Sequence, residues 1–204
     1  TPTVTGTFNY TVTTTGGCGS ASSGGTITID PIATIALTSA AATTNQTLCI
    51  NTVLTPIVYT IANATGATVL GLPAGVSGTY SAGQFTITGT PSVTGTFNYT
   101  VTTTGGCGSA SLGGTITISP DATIALVSAV ATTNQTLCAS SPITAIVYAI
   151  GGGGTGATVT GLPAGVTGTF AAGQFTITGL PTAGGTFNYT VTTTGGCGSA
   201  SSGG

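Results

Sequence analysis

Apolar and polar residues alternate along most of the chain with a period of two, which is the period of a half-buried β-strand. Between residues 96 and 102, Phe97, Tyr99 and Val101 share one face, and the intervening positions are Asn or Thr. The same alternation recurs over residues 115–118. One face is therefore expected to pack in a core while the other exposes hydroxyl groups to water, as in a two-sheet sandwich.

Short turn signals separate these alternating segments, and helical periodicity is absent. Pro73 and Gly75, like Pro163 and Gly165, stand where a type I turn favours them. The chain is predicted to be all-β, with roughly seven strands in each repeat. Those strands are expected near residues 34–37, 57–61, 67–70, 76–80, 84–88, 96–104 and 115–119.

The sequence also repeats itself over a longer distance. The motif Thr-Phe-Asn-Tyr-Thr-Val-Thr-Thr-Thr-Gly-Gly-Cys-Gly-Ser-Ala-Ser begins at Thr7, Thr96 and Thr186, so the offsets are 89 and 90 residues. This period is the length of a small all-β domain. It indicates a function that copies of one module perform in series.

Each repeat is expected to end where a strand meets proline, because proline cannot continue a ladder of hydrogen bonds. These points are Pro31 and Pro120. Three segments follow: residues 1–30 are the last two strands of a preceding repeat, residues 31–120 are one complete repeat, and residues 121–204 are a repeat lacking its last strand.

The final repeat stops short of its last strand in the sequence. Gly204 corresponds to Gly25, after which the first repeat continues into Thr-Ile-Thr-Ile. We therefore expect the sequence to be a segment of a longer array.

Charged residues are almost absent, since Asp30 and Asp121 are the only two and the sequence has no Lys, Arg, His, Met or Trp. General acid–base catalysis, or activation of a serine or cysteine nucleophile, needs groups that cannot be assembled here. Nucleic-acid binding would lack cationic side chains, and two separate aspartates cannot supply a calcium site. We expect no enzyme, no cofactor, no metal site and no nucleic-acid partner.

Mean hydropathy is positive, at +0.53, yet the apolar runs are short and interrupted by Thr and Gly. A helix needs roughly 20 apolar residues to cross a bilayer, so membrane insertion is not expected. No signal peptide is visible, and any targeting segment is expected to lie outside this sequence.

Five cysteines fall at two positions of the repeat. Buried free thiols are one interpretation, but small secreted β-domains more often use such cysteines as disulfides. Disulfides would place the chain outside the cytoplasm. The late position holds Cys18, Cys107 and Cys197, and the early position holds Cys49 and Cys138.

Two regular pairings of these cysteines are possible. Pairing within a repeat makes each domain self-sufficient, and we favour it for that reason. It also leaves Cys18 without a partner in this sequence. The favoured bonds are Cys49–Cys107 and Cys138–Cys197, and the alternative bonds between neighbouring repeats are Cys18–Cys49 and Cys107–Cys138.

A family resemblance lies in three motifs: Leu-Pro-Ala-Gly-Val at 72–76, Gln-Phe-Thr-Ile-Thr-Gly-Thr-Pro at 84–91, and Gly-Thr-Phe-Asn-Tyr-Thr-Val-Thr at 95–102. They resemble bacterial immunoglobulin-like and PKD-like repeats. With Gln-Thr-Leu-Cys early and Gly-Gly-Cys-Gly late, the repeat is similar to those of giant secreted surface proteins of Bacteroidota, including gliding-type adhesins. The resemblance covers nearly the whole chain and implies tandem immunoglobulin-like β-sandwiches. The near absence of charge is a departure from that family.

The expected function is structural: a repeat segment of an extracellular stalk or filament of a bacterial surface adhesin, whose partners are neighbouring repeats. Because no lysine guards the sheet edges, lateral self-association into fibres is a sharper form of this hypothesis. The alternative is a module that binds a neutral carbohydrate. Its candidate aromatic platforms are Tyr59, Tyr80, Tyr99 and Tyr148, most of which fall at core positions.

Overall fold

The computed structural model describes all residues 1–204, which form strands, turns and two short 3-10 helices. The chain is all-β, as predicted. It begins with an antiparallel hairpin of β1 (Gly6–Thr13) and β2 (Ser22–Ile29). The second edge of β2 pairs with no other strand.

The hairpin is followed by a first sandwich of two four-stranded sheets. Its elements are β3 (Thr34–Leu37), a 3-10 helix (Ala41–Thr44), β4 (Asn45–Cys49), β5 (Ile57–Ala62), β6 (Ala64–Leu70), β7 (Val76–Ser81), β8 (Gln84–Gly89), β9 (Gly95–Gly106) and β10 (Ser111–Ser119). One sheet has the order β3-β5-β8-β7 and the other β4-β10-β9-β6. Every pair is antiparallel except β4 with β10, which is parallel.

The sequence pattern predicted seven strands of the first sandwich, and all seven are confirmed. It missed β4. That segment reads Asn-Gln-Thr-Leu-Cys, which contains little apolar or aromatic side chain to mark a strand. It is extended because its backbone pairs with β10 over five consecutive residues.

Side chains from both sheets meet in one apolar core. Ile87 and Ile116 are completely buried, and Phe85 and Ile118 nearly so. Two tyrosines, Tyr59 and Tyr99, lie within this core with their hydroxyl oxygens 2.9 Å apart. Each buried hydroxyl therefore has a hydrogen-bond partner, which removes the cost of burying it alone.

A second sandwich repeats this plan with one difference. Its elements are β11 (Thr123–Leu126), a 3-10 helix (Val130–Thr133), β12 (Ile146–Gly151), β13 (Gly156–Thr160), β14 (Val166–Ala171), β15 (Gln174–Gly179), β16 (Thr190–Thr194) and β17 (Ser201–Gly203). One sheet has four strands, β11-β12-β15-β14, and the other only three, β13-β16-β17. The hydroxyls of Tyr148 and Tyr189 lie 3.0 Å apart in its core, as in the first sandwich.

The difference concerns two segments that have the same sequence in both sandwiches. Residues 134–138 repeat β4, and residues 185–188 repeat the start of β9, but neither is a strand in the second sandwich. In the first sandwich both segments pair with residues 115–118 of β10. Extended structure in these segments therefore depends on the strand between them.

The buried tyrosines make stability sensitive to alkaline pH. Burial raises the pKa of Tyr59 above its ordinary value near 10. Burial and the hydrogen bond to Tyr59 raise the pKa of Tyr99. Burial and the hydrogen bond to Tyr148 raise the pKa of Tyr189 in the same way. The unfolded chain loses these protons near pH 10 while the folded chain retains them.

We therefore expect these tyrosines to leave the free energy of unfolding unchanged up to about pH 9 and to lower it above about pH 10. Urea unfolding between pH 7 and pH 11 measures this. The double variant Tyr59→Phe/Tyr99→Phe should show a smaller decline, because two of the hydroxyls with a raised pKa are removed. An equal decline in the variant would contradict this assignment.

Candidate functional site: the junction between the sandwiches

The two sandwiches are joined by a very short connection, Pro120-Asp121-Ala122, between β10 and β11. Pro120 lacks an N–H and ends the ladder of β10. The connection is held from both sides. The N–H of Ile50, in the first sandwich, donates to the carbonyl of Ser119 at 2.9 Å, and the N–H of Ala122 donates to the carbonyl of Cys197 at 2.7 Å.

A disulfide joins Cys49 to Cys197 across this junction, with their Cα atoms 5.4 Å apart. Cys49 ends β4 opposite Ser119, and Cys197 lies opposite Asp121 in a parallel bridge. The two cysteines thus approach the connection from opposite sandwiches. The bond closes a loop with a sequence separation of 148 residues, which is worth about 5 kcal/mol in the chain-entropy model.

This pairing corrects the one favoured from the sequence. The expected bonds Cys49–Cys107 and Cys138–Cys197 are absent, and so are the alternatives Cys18–Cys49 and Cys107–Cys138. The reason is the parallel pairing of β4 with β10. It places Cys49 beside Ser119, at one end of the sheet, whereas Cys107 lies beyond the other end of β10.

The distance between Cys49 and Cys107 is too great for a disulfide within the first repeat. The nine residues of β10 span about 26 Å, whereas disulfide-bonded cysteines have Cα atoms within about 7 Å of each other. The remaining cysteines, Cys18, Cys107 and Cys138, are free and exposed.

Glycines allow the second sandwich to approach the connection closely. A Cβ atom on Gly153 would lie 2.5 Å from the carbonyl oxygen of Pro120 and 3.1 Å from the nitrogen of Cys197. Gly152 has a φ of +61°, and a Cβ there would collide with the carbonyl of Asp121. Only residues without a side chain fit between the connection and Cys197.

The tyrosines considered as sugar platforms are not free to bind. Tyr59, Tyr99 and Tyr148 are buried, and Tyr80 packs against the first core. Tyr10, on the hairpin, is half exposed. Packing in the sandwich cores explains the positions of Tyr59, Tyr80, Tyr99 and Tyr148 without a bound ligand.

Two further observations concern the whole chain. No group of three or more His, Cys, Asp or Glu side chains is arranged to hold a metal ion. No helix has the length and apolar character needed to span a membrane. The junction between the two sandwiches, with its disulfide, its backbone hydrogen bonds and its closely packed glycines, is the candidate functional site of this chain.

Comparison with known proteins identifies the fold. No protein-family model matches the chain, and no curated protein matches it. Among solved structures, an I-band fragment of titin, I67–I69, superimposes with a TM-score of 0.57 at 12% identity, over 78% of this chain and 60% of that chain. An E-to-A variant of the same three-domain fragment gives 0.54 at 13% identity, covering 77% of this chain and 60% of that one.

The N-terminal eight immunoglobulin domains of the Down syndrome cell adhesion molecule give a TM-score of 0.54 at 9% identity. That match covers 98% of this chain and 31% of the other, so the chain spans only part of these structures. At such low identity the likeness concerns the fold alone. The chain is an all-β tandem of immunoglobulin-like sandwiches.

The disulfide makes a first prediction for the junction. Replacing Cys49→Ser should lower the free energy of unfolding by up to about 5 kcal/mol, because the unfolded chain regains the entropy of an open loop. Urea unfolding under non-reducing conditions measures the loss. Cys18→Ser, which removes an exposed free thiol, should leave stability unchanged. Peptide mapping that recovered Cys49 bonded to Cys107 would contradict the assignment.

The glycine contact makes a second prediction. Gly153→Ala should destabilise the protein by about 1–3 kcal/mol, because the added methyl group forces the connection away from Cys197. Gly184→Ala is the matched control, since a Cβ there meets nothing within 4 Å. Thermal unfolding of both variants compares them. Equal melting temperatures for the two variants would show that the junction accommodates the added methyl group, and would contradict the prediction.

Proposed function

We propose that this chain is a structural segment of an extracellular stalk or filament, of the kind carried by large secreted surface adhesins of bacteria. Immunoglobulin-like repeats divided at Pro31 and Pro120 would form its successive units. One observation carries the proposal: the two sandwiches are joined by a three-residue connection, a disulfide and backbone hydrogen bonds on both sides. Such a joint restricts bending between neighbours, whereas a flexible linker would permit it.

The position of the disulfide suits a chain under tension. When the two termini are pulled apart, the covalent path runs from the N-terminus to Cys49, through the sulfur atoms to Cys197, and on to the C-terminus. Residues 50–196 lie outside this path, so the applied force cannot extend them while the disulfide is intact. Both apolar cores lie mainly within that protected loop.

The chemistry of the chain supports a passive role outside the cell. The side chains that usually carry acid–base catalysis or bind charged ligands are missing from the sequence. Structural disulfides persist mainly in oxidising surroundings, which favours a secreted location. Near-identical repeats also suit a stalk, because a specific binding site would make one copy distinctive.

Pulling experiments on single molecules test the proposal. With the termini held, the oxidised chain should release only residues 1–49 and 197–204, roughly 200 Å of contour length. After reduction by dithiothreitol it should release the whole chain, roughly 700 Å. Force–extension curves measure both lengths directly.

The variant Cys197→Ser should behave like the reduced protein without any reductant, and Cys18→Ser should behave like the oxidised one. A second readout is the small-angle X-ray scattering profile. A flexible, broad distribution of shapes in the oxidised protein would argue against a stalk, whatever the pulling curves show.

A further inference from the structure

One of the two charged side chains of this chain lies at the joint between the sandwiches. Asp121 is the middle residue of the connection, and it forms a parallel bridge with Cys197, one half of the disulfide. Ser119, two residues earlier, lies opposite Cys49, the other half. The carboxylate is therefore carried by the segment that runs between the two bonded cysteines.

The side chain of Asp121 lies against the cysteine segment of the second sandwich. Its Oδ1 atom is 3.3 Å from the position that a Cβ atom would take on Gly198, the residue after Cys197. The backbones are also in contact, because the N–H of Ala122 donates to the carbonyl of Cys197 at 2.7 Å. Paired strands lie about 4.8 Å apart, which places the charge roughly 5–8 Å from the Cys197 sulfur.

No side chain of opposite charge balances this carboxylate. The sequence has no Lys, Arg or His, and Asp121 is exposed to water. The other carboxylate, Asp30, lines a cavity together with Cys107, which lies beyond the far end of β10 from Cys49. Asp30 is therefore about 26 Å from the disulfide. The side-chain charge near the disulfide is that of Asp121 alone.

The bridge itself does not require a carboxylate. The same bridge ahead of the first sandwich joins Ile32 to Cys107. Ile32 lies against the residue after its cysteine just as Asp121 does, since its Cγ2 atom is 3.6 Å from the Cβ position of Gly108. An apolar and an acidic side chain both fit this place, so what distinguishes Asp121 is its charge.

The two bonded cysteines differ in their access to solvent. Cys197 is 7% exposed, whereas Cys49 is only partly buried. Thiol–disulfide exchange depends on which sulfur the incoming thiolate can reach. A reducing thiolate therefore reaches the sulfur of Cys49 first, and the sulfur of Cys197, beside Asp121, becomes the leaving group.

Reduction of the bond proceeds in two exchanges. The first thiolate bonds to the sulfur of Cys49, the Cys49–Cys197 bond breaks, and its electron pair stays on the sulfur of Cys197. A second thiolate then bonds to the sulfur of the first reagent and displaces Cys49. Two reagent thiols thus supply two electrons and two protons, and they leave as one small disulfide. Both exchanges bring a negative charge to the joint.

We propose that the charge of Asp121 slows reduction of the Cys49–Cys197 disulfide by anionic thiols. The carboxylate repels the incoming thiolate, and it disfavours the thiolate that must form on Cys197. At a separation near 7 Å in water, each unit of negative charge on the reagent should slow the attack roughly threefold. This deepens the stalk function and rests on it, because the extensible length of the stalk depends on whether this bond is intact.

Rates of reduction at low ionic strength test the proposal. The full chain is used with Cys18, Cys107 and Cys138 replaced by serine, so that only the disulfide reacts. Three thiols supply thiolates of different charge: 2-mercaptoethanesulfonate carries two negative charges, 2-mercaptoethanol one, and cysteamine no net charge. Trapping with iodoacetamide and mass spectrometry measures the reduced fraction over time. For each thiol, the rate constant of a variant divided by that of its parent cancels the intrinsic reactivity of the thiol.

We expect Asp121→Asn to accelerate reduction by the sulfonate roughly ninefold more than reduction by cysteamine, with 2-mercaptoethanol between them. Sodium chloride at about 0.5 M should remove most of this difference. Asp121→Ile, which copies Ile32 at the corresponding bridge, should give the same order of rates. Asp121→Glu keeps the charge and should react like the parent. Asp30→Asn is the matched control and should change none of the rates.

Equal acceleration with all three thiols would show that the substitution only loosens the joint, and it would overturn the proposal. Unchanged rates in both Asp121→Asn and Asp121→Ile would overturn it as well. Neither outcome would alter the contour lengths released by the oxidised and reduced chains, so the stalk function is tested separately.

Discussion

The parallel pairing of β4 with β10 is the interaction on which the other features of this chain depend. The two sandwiches allow this comparison within one molecule, because residues 134–138 and 185–188 of the second have the same sequences as residues 45–49 and 95–98 of the first. In the first sandwich both segments pair with residues 115–118 and are strands, and Ile116 is fully buried. In the second sandwich residues 134–138 and 185–188 form no strand, and Phe187 is partly exposed. Strand formation here is set by partners rather than by propensity.

The direction of that pairing also decides how neighbouring units are joined. A parallel β4 carries Cys49 to the end of the sheet where the chain leaves for the next sandwich. The late cysteine of each sandwich lies where the chain enters, as the bridge between Asp121 and Cys197 shows. A bond between sandwiches therefore requires only local contact, whereas a bond within one would have to span the length of the sheet. Glycines at 152 and 153 leave room for this contact.

Stability in a chain almost free of charge has to come from other sources. The cores are small, and a hydrogen-bonded pair of tyrosines lies within each. Backbone ladders and a long-range disulfide supply the rest, and threonine hydroxyls face water along the strands. These features are insensitive to salt, since few ionic interactions are available to screen.

The sequence alone determined seven of the eight strands of the first sandwich, the sandwich class and the repeat. Alternation at Phe97, Tyr99 and Val101 was sufficient because a period of two follows from local backbone geometry. It also placed Tyr59 and Tyr99 in the core. Only the tertiary structure decided that Asn45–Cys49 is a strand, that it runs parallel to β10, and that Cys49 bonds to Cys197. Strand direction and cysteine pairing depend on contacts between residues far apart in the chain, which no local pattern specifies.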